Sequence, residues 1–118
     1  MALTVYHYPA CSTCRRALKW LDQHGIAHDR VDIVQHPPSR TELQRILDGS
    51  GGPLRSLFNT SGQSYRDGNF KERLPGLSAD AALNALEADG KLIKRPLVVG
   101  DGVALVGFDE ARWAAALR

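Results

Sequence analysis

The sequence predicts an α/β fold, and three observations carry that prediction. The chain opens strand, helix, strand, and it closes on two short strands and a helix. Its only two cysteines, Cys11 and Cys14, sit where the first strand gives way to the first helix. At 118 residues the chain suits one domain with a real core and is too short for two. It is read as a single domain over residues 1–118.

Leu3 to Tyr8 reads as the first strand, with Leu3, Val5 and the tyrosines supplying β propensity. Pro9-Ala10 ends it. The following helix carries Cys14, Ala17, Leu18 and Leu21 at helical spacing, with Trp20 as core or rim packing. His24-Gly25 closes it, glycine supplying the left-handed cap. Arg30-Val31-Asp32-Ile33 alternates polar and apolar as a half-buried strand does. His36-Pro37-Pro38 then turns the chain.

Ser39-Arg40-Thr41-Glu42 has the spacing of a capping box, with serine on one orphan N–H and glutamate reaching back. The helix it opens runs through Leu43, Ile46 and Leu47 and is expected to stop at Gly49. In the middle, Leu54 to Phe58 reads as a helical turn, Ser61-Gly62 as a turn, and Asn69 to Leu74 as a short helix. Ser78 caps a helix bearing Ala82, Leu83 and Leu86, ended by Asp89-Gly90. Leu97-Val98-Val99 and Val103 to Val106 are strands joined by the hairpin turn Gly100-Asp101-Gly102. Asp109 caps the last helix, which holds Trp113, Ala116 and Leu117. A βαβ unit followed by ββα, with CxxC at the first βα turn, is the thioredoxin-like plan. Here it carries a helical insertion at about residues 39–90.

Composition excludes several classes. A net charge of +2, with no basic run interleaved with aromatics, gives no reason to expect direct nucleic-acid binding. Gly100-Asp101-Gly102 is no dinucleotide fingerprint, because Leu105 fills the third glycine's place and no helix follows the turn. The first residues lack a charged n-region and a long apolar stretch, and no run reaches about 18 apolar residues. No export and no membrane are expected, so the cytoplasm is the default. In that reducing compartment a disulfide is usually transient.

Three uses compete for Cys11-Ser12-Thr13-Cys14. On a first helical turn the two α-carbons stand ~5 Å apart, inside the window for a disulfide. A purely structural disulfide would close a loop too short to constrain the unfolded chain much. Zinc is suggested by His24 and His28, but only nine residues separate Cys14 from His24, where a finger has about twelve. Gly25 also breaks the helix that would align the two histidines; no metal site is expected. Redox or nucleophilic use of the pair is the third, and CxxC beside a βαβ pattern favours it. A cysteine at a helix N-terminus faces unpaired N–H groups and the positive end of the helix dipole. With Arg15 and Arg16 nearby, Cys11 is expected to populate its thiolate. One or both of these arginines can instead point into water, and that is the favoured reading for Arg16.

With Cys11-Ser12-Thr13-Cys14-Arg15, Arg55, Lys94-Arg95-Pro96-Leu97 and Val106-Gly107-Phe108, the whole chain resembles the arsenate reductase-like family that includes the Spx regulators (ArsC/Spx). The resemblance implies a thioredoxin-like fold with a helical insertion. It also implies a cis bond before Pro96, with Arg95-Pro96 beside the CxxC. Reductases of this family attack an arsenic oxyanion with the thiolate matching Cys11 and hold the oxyanion with arginines. Arg95 matches one, Arg55 a second, and Arg15 stands beside the nucleophile as a further candidate. Arginine's planar fork donates two parallel hydrogen bonds to such an anion. Arg55 and Arg66 can nearly as well be solvated surface arginines.

Two features depart from that pattern. A third arginine usual in those reductases falls near Gly107, where this chain has none. Cys14 adds a second thiol where the arsenate reductases of the family use one cysteine and borrow glutathione and glutaredoxin. Phosphatase-type arsenate reductases are set aside, since six residues beyond Cys11 stands Ala17 and six beyond Cys14 stands Trp20, neither able to cradle an oxyanion.

Two functions follow. The first is a thiol-disulfide oxidoreductase with Cys11 as nucleophile, Cys14 as resolving thiol and Arg95 at the site. Its substrate is arsenate or another oxidised small molecule or protein. It holds no bound cofactor, and glutathione with glutaredoxin, or thioredoxin, serves as redox partner and reductant. The second is an Spx-like regulator whose CxxC senses oxidation and whose surface binds RNA polymerase. The segment Phe58 to Arg66 resembles the reductase-like branch more than the regulators, which favours the first.

Overall fold

The computed structural model describes residues 3–118; Met1 and Ala2, part of the expected domain and of the start read as lacking an export signal, lie outside the described residues. Four strands form one mixed sheet in the order β2-β1-β3-β4. They are β1 (Leu3–His7), β2 (Asp29–Asp32), β3 (Leu97–Gly100) and β4 (Val103–Val106). β1 and β2 run parallel, and β1–β3 and β3–β4 are antiparallel, with Val5 opposite Val98 and Val98 opposite Leu105. Helix α1 (Ser12–Gln23) links β1 to β2, and α6 (Glu110–Leu117) follows β4. Between β2 and β3 lie α2 (Arg40–Ser50), α3 (Gln63–Asp67), α4 (Phe70–Arg73) and α5 (Ala79–Ala88), with 3₁₀ turns at Leu54–Leu57, Leu74–Gly76 and Gly90–Leu92. This is the thioredoxin-like order with its helical middle.

Alternation along the strands builds two cores, one on each face of the sheet. Leu3, Val5, Val98 and Leu105 meet Ala17, Trp20 and Leu21 of α1 and Trp113 of α6. On the other face Leu97 and Val99, with Tyr6 packed against them, meet Ile46, Phe58, Leu83 and Leu86 of the inserted segment. The result is three layers, with the β1–α1 junction and the residues preceding β3 meeting at one end of the sheet.

Several boundaries differ from the sequence reading, each for a physical reason. β1 stops at His7, because the Tyr8 carbonyl accepts from Cys11 N–H at 3.0 Å and closes the turn into α1. β2 begins one residue earlier than expected and ends at Asp32, while Ile33, wholly buried, goes into the core beneath the insertion. Ser39 Oγ accepts from Glu42 N–H at 3.1 Å, but Glu42 does not reach back; its carboxylate accepts from Arg45 at 3.2 Å instead. α2 runs past Gly49 to Ser50 and ends at Gly51, whose φ of +72° supplies the left-handed terminus. Gly49 is needed inside the helix because a Cβ there would come within 2.8 Å of Ala104 Cβ on β4. α3 was not anticipated; only Tyr65 of its five residues is buried, too little to mark a helical period. Ser78 and Asp109 cap α5 and α6 as expected, accepting from Ala81 N–H and Arg112 N–H.

Candidate active site

Cys11 is the N-cap of α1, with extended backbone, so its side chain projects over the first helical turn. No side-chain hydrogen bond caps the helix, yet the sulfur lies close enough to the Cys14 N–H to feel it. Both cysteines are free, Cys11 half-buried and Cys14 wholly buried. Their surroundings push them apart. Burial alone raises Cys11, but the backbone N–H and thiol of Cys14 and the Arg95 guanidinium outweigh it, so its pKa lies below the ordinary thiol value. Burial and the neighbouring Cys11 sulfur push Cys14 up to about 12, despite the opposing pull of its Tyr8 backbone contact and Arg95. Of the two thiols Cys11 is the more readily ionised, and Cys14 keeps its proton through the neutral range.

Arg95 reaches this site from the segment entering β3. The peptide bond between Arg95 and Pro96 is cis. The guanidinium carbon lies 4.9 Å from the centroid of the Tyr8 ring, and Nη1 donates to the Lys91 carbonyl at 3.3 Å. Its buried Nε has no partner among the described residues. A cation stacked on an aromatic face and tied at one end keeps its fork beside the Cys11 sulfur.

Cys11 opens into a cleft of about 540 Å³ whose wall carries Arg16, Lys94, Arg95 and Arg112. Asp109 is the carboxylate on that wall, and its Oδ1 already accepts from the α6 backbone at Arg112. The arrangement is built to receive an anion. Gly107 forms another part of the wall, with φ +75°. Its N–H donates to the Pro96 carbonyl at 2.8 Å, and its carbonyl accepts from the buried Trp113 indole at 3.0 Å. Those bonds strap the loop after β4 to Pro96 on one side and α6 on the other.

The sequence-predicted residues are distributed unevenly. Cys11, Cys14 and Arg95 converge, and Pro96 follows Arg95 across the cis bond. Arg15 turns away from the thiol, its Nη1 donating to the Pro9 carbonyl at 3.1 Å, and does not line the cleft. Arg55 is exposed and lines an adjoining hollow of about 510 Å³ that shares Lys94, Val106 and Arg112 with the Cys11 cleft. Arg66 donates to the Ser61 carbonyl and Gln63, outside both. Arg16, read as pointing into water, is exposed, and it also stands 5.9 Å from the Phe108 ring centroid on the cleft wall. Arg112 and Lys94 were missed as cleft cations. The signal for Arg112 was its place in the first turn after the Asp109 cap, directly beyond the Val106-Gly107-Phe108 loop. His24 and His28 are occupied elsewhere, His24 Nδ1 at the Trp20 carbonyl and His28 between the Ile26 carbonyl and Arg30.

The chain is similar to several known proteins along nearly its whole length. A Bacillus subtilis uncharacterized protein, YusI, is 47% identical over 93% of this chain and 93% of its own length. The global transcriptional regulator Spx of Streptococcus mutans is 25% identical over 92% of this chain and 77% of its own. The solved arsenate reductase from Vibrio cholerae superposes with a TM-score of 0.87 at 31% identity, covering 99% of this chain and 98% of that one. The sequence profile of the ArsC family matches residues 6–116, nearly the whole of the chain, from the end of β1 to the last turn of α6. The thiol pair at the head of α1 and the arginine before Pro96 thus sit in a chain that belongs to the ArsC family.

Proposed function

We propose that this protein is a thiol-disulfide oxidoreductase of the arsenate reductase-like kind, with Cys11 attacking and Cys14 resolving. The observation that carries the reading is two free thiols one helical turn apart, Cys11 half-buried beside Arg95 at the cleft with its pKa lowered, and Cys14 wholly buried with its pKa pushed up to about 12. The Cys11 thiolate attacks an oxidised sulfur or an arsenic oxyanion in the cleft, while Arg95 meets the developing negative charge. For arsenate, sulfur replaces an oxygen that leaves as water. Once Cys11 is bonded, its negative charge is gone and no longer holds the Cys14 pKa up. Cys14 then loses its proton, attacks the Cys11 sulfur, and the electron pair leaves with the reduced product. The Cys11–Cys14 disulfide is re-reduced by a thiol donor, glutathione with glutaredoxin or thioredoxin, consistent with work in the cytoplasm. Among the described residues no helix is long and apolar enough to cross a membrane.

A regulator would keep the same thiols as a sensor and add RNA polymerase as partner, as the likeness to Spx allows. The open cationic cleft at Cys11 favours turnover, because a sensor needs no binding volume for a substrate anion. The deciding experiment measures arsenate reduction with glutathione and glutaredoxin, beside a pull-down with the polymerase α subunit. Turnover lost in Cys11→Ser supports the enzyme. Absent turnover, together with stoichiometric and oxidation-dependent polymerase capture, would replace it with the regulator.

A further inference from the structure

Resting on the oxidoreductase reading, we propose that the substrate is a disulfide carried on an acidic peptide segment, held along a two-lobed basic groove. The Cys11 cleft of about 540 Å³ and the neighbouring hollow of about 510 Å³ meet at a common wall of Lys94, Val106 and Arg112. Each lobe has the size that holds a drug-sized ligand. A tetrahedral oxyanion at Cys11 leaves the second lobe empty.

Charge says what the second lobe takes. Arg16, Lys94, Arg95 and Arg112 surround the first lobe, and Arg55 adds a fifth cation in the second. Asp109 is the carboxylate facing them and is committed to the α6 cap. The chain as a whole carries a net charge of only +2, so this concentration is local. The three ion pairs among the described residues, Arg30–Asp22, Arg40–Asp80 and Arg45–Glu42, all lie elsewhere, and none of the groove cations is neutralised by one. Pro53 and Val106 contribute apolar surface at the second lobe, which suits side chains better than an inorganic polyanion. The reacting centre is one thiol of a pair that can close to a disulfide, so a disulfide sulfur is an electrophile it can exchange with. Peptides carry one and nucleic acids do not.

The chemistry balances within the two chains. The Cys11 thiolate attacks one sulfur of the partner's disulfide, that bond breaks, and the departing partner thiolate takes a proton from solvent. Cys14 releases its proton, attacks the Cys11 sulfur, and frees the second partner thiolate, which is protonated in turn. The partner gains two electrons and two protons, and Cys11 and Cys14 become a disulfide. Lys94 and Arg112, placed where the lobes join, set the preference for acidic flanks.

The test uses two synthetic peptides with the same internal disulfide, one flanked by Asp and Glu and the other by Lys and Arg. The second-order rate is measured in single turnover with the reduced protein as the only reductant. The acidic peptide should react about tenfold faster or more at low salt, through steering by the groove. That ratio should shrink toward unity at about 1 M salt, where the Debye length falls to roughly 3 Å. Lys94→Glu and Arg112→Glu, both at exposed positions, should each reverse the preference. Arg45→Gln, outside the groove, should leave it unchanged. Equal rates for both peptides, or a ratio that neither groove variant moves, would overturn the groove and leave the oxidoreductase reading standing. Arsenate turnover with neither peptide reduced would do the same. Failure with both peptides and with arsenate would remove the oxidoreductase reading and the groove together.

Discussion

Replacing Arg95 separates a residue that acts on the thiol from one that merely supports the fold. Its structural contacts are few: one hydrogen bond of 3.3 Å to the Lys91 carbonyl and the stack over Tyr8 at 4.9 Å. A hydrogen bond contributes about 1 kcal/mol net, and a partly exposed cation–π contact about 0.5–1 kcal/mol. Arg95→Ala should therefore cost about 1–2 kcal/mol of stability, lowering Tm by roughly 4–8 °C in a domain of this size. Losing a preorganised donor to an anionic transition state costs about 3 kcal/mol, on the order of a hundredfold in rate. The rate effect should thus dominate. Arg95→Lys restores the positive charge but not the planar fork, so it should recover the lowered Cys11 pKa more fully than turnover of an anionic substrate. Iodoacetamide alkylation across pH, single-turnover reduction and thermal unfolding read the three quantities. Unchanged alkylation and turnover in both variants, with a Tm loss well beyond 8 °C, would make Arg95 a structural residue and refute the argument.

Two further outcomes follow from the same geometry. In the reduced protein Cys14 keeps its proton to about pH 12, whereas the unfolded thiol releases it near 8.5, so above that point the unfolded state binds fewer protons and stability must fall as pH rises. Thermal unfolding between pH 8 and 10 should show a steeper loss for the native sequence than for Cys14→Ala; equal slopes would deny the burial of an ionisable Cys14. Gly90→Ala would drive a Cβ into the Ile33 carbonyl oxygen, a backbone atom that cannot swing aside. Urea unfolding should show a loss of about 3 kcal/mol, with slower Cys11 alkylation because Gly90 begins the turn leading to Arg95; an unchanged midpoint would refute the close approach.

What could be read from the sequence was local. Ser78 and Asp109 cap helices through bonds to residues three ahead, and Gly25 and Gly102 adopt positive φ where the chain turns. Cys11 and Cys14 carry their chemistry in their own spacing at a strand–helix junction. What escaped was set by distant partners. Gly49 looks like a helix stop until Ala104 of β4 is placed against it. Tyr65 gives α3 its burial only because Phe58 and Phe70 close around it, with ring centroids 6.3 and 6.1 Å away. Arg15 is adjacent to the nucleophilic turn in sequence but bonds to Pro9. Arg112 lies about a hundred residues from Cys11 and yet shares its cleft. Position along a chain says little about which guanidinium faces a thiol once two helices and a loop meet there.

The central claim is that Cys11 is the ionised, attacking thiol and Cys14 the buried, protonated one. The most direct measurement is alkylation of the reduced protein with iodoacetamide across pH, followed by peptide mapping of each cysteine. The account predicts that Cys11 is modified first, with a midpoint below about 8.5, the ordinary thiol value, while Cys14 stays unmodified through the neutral range. Modification of Cys14 first, or a Cys11 that reacts only as an unperturbed thiol does, would contradict it.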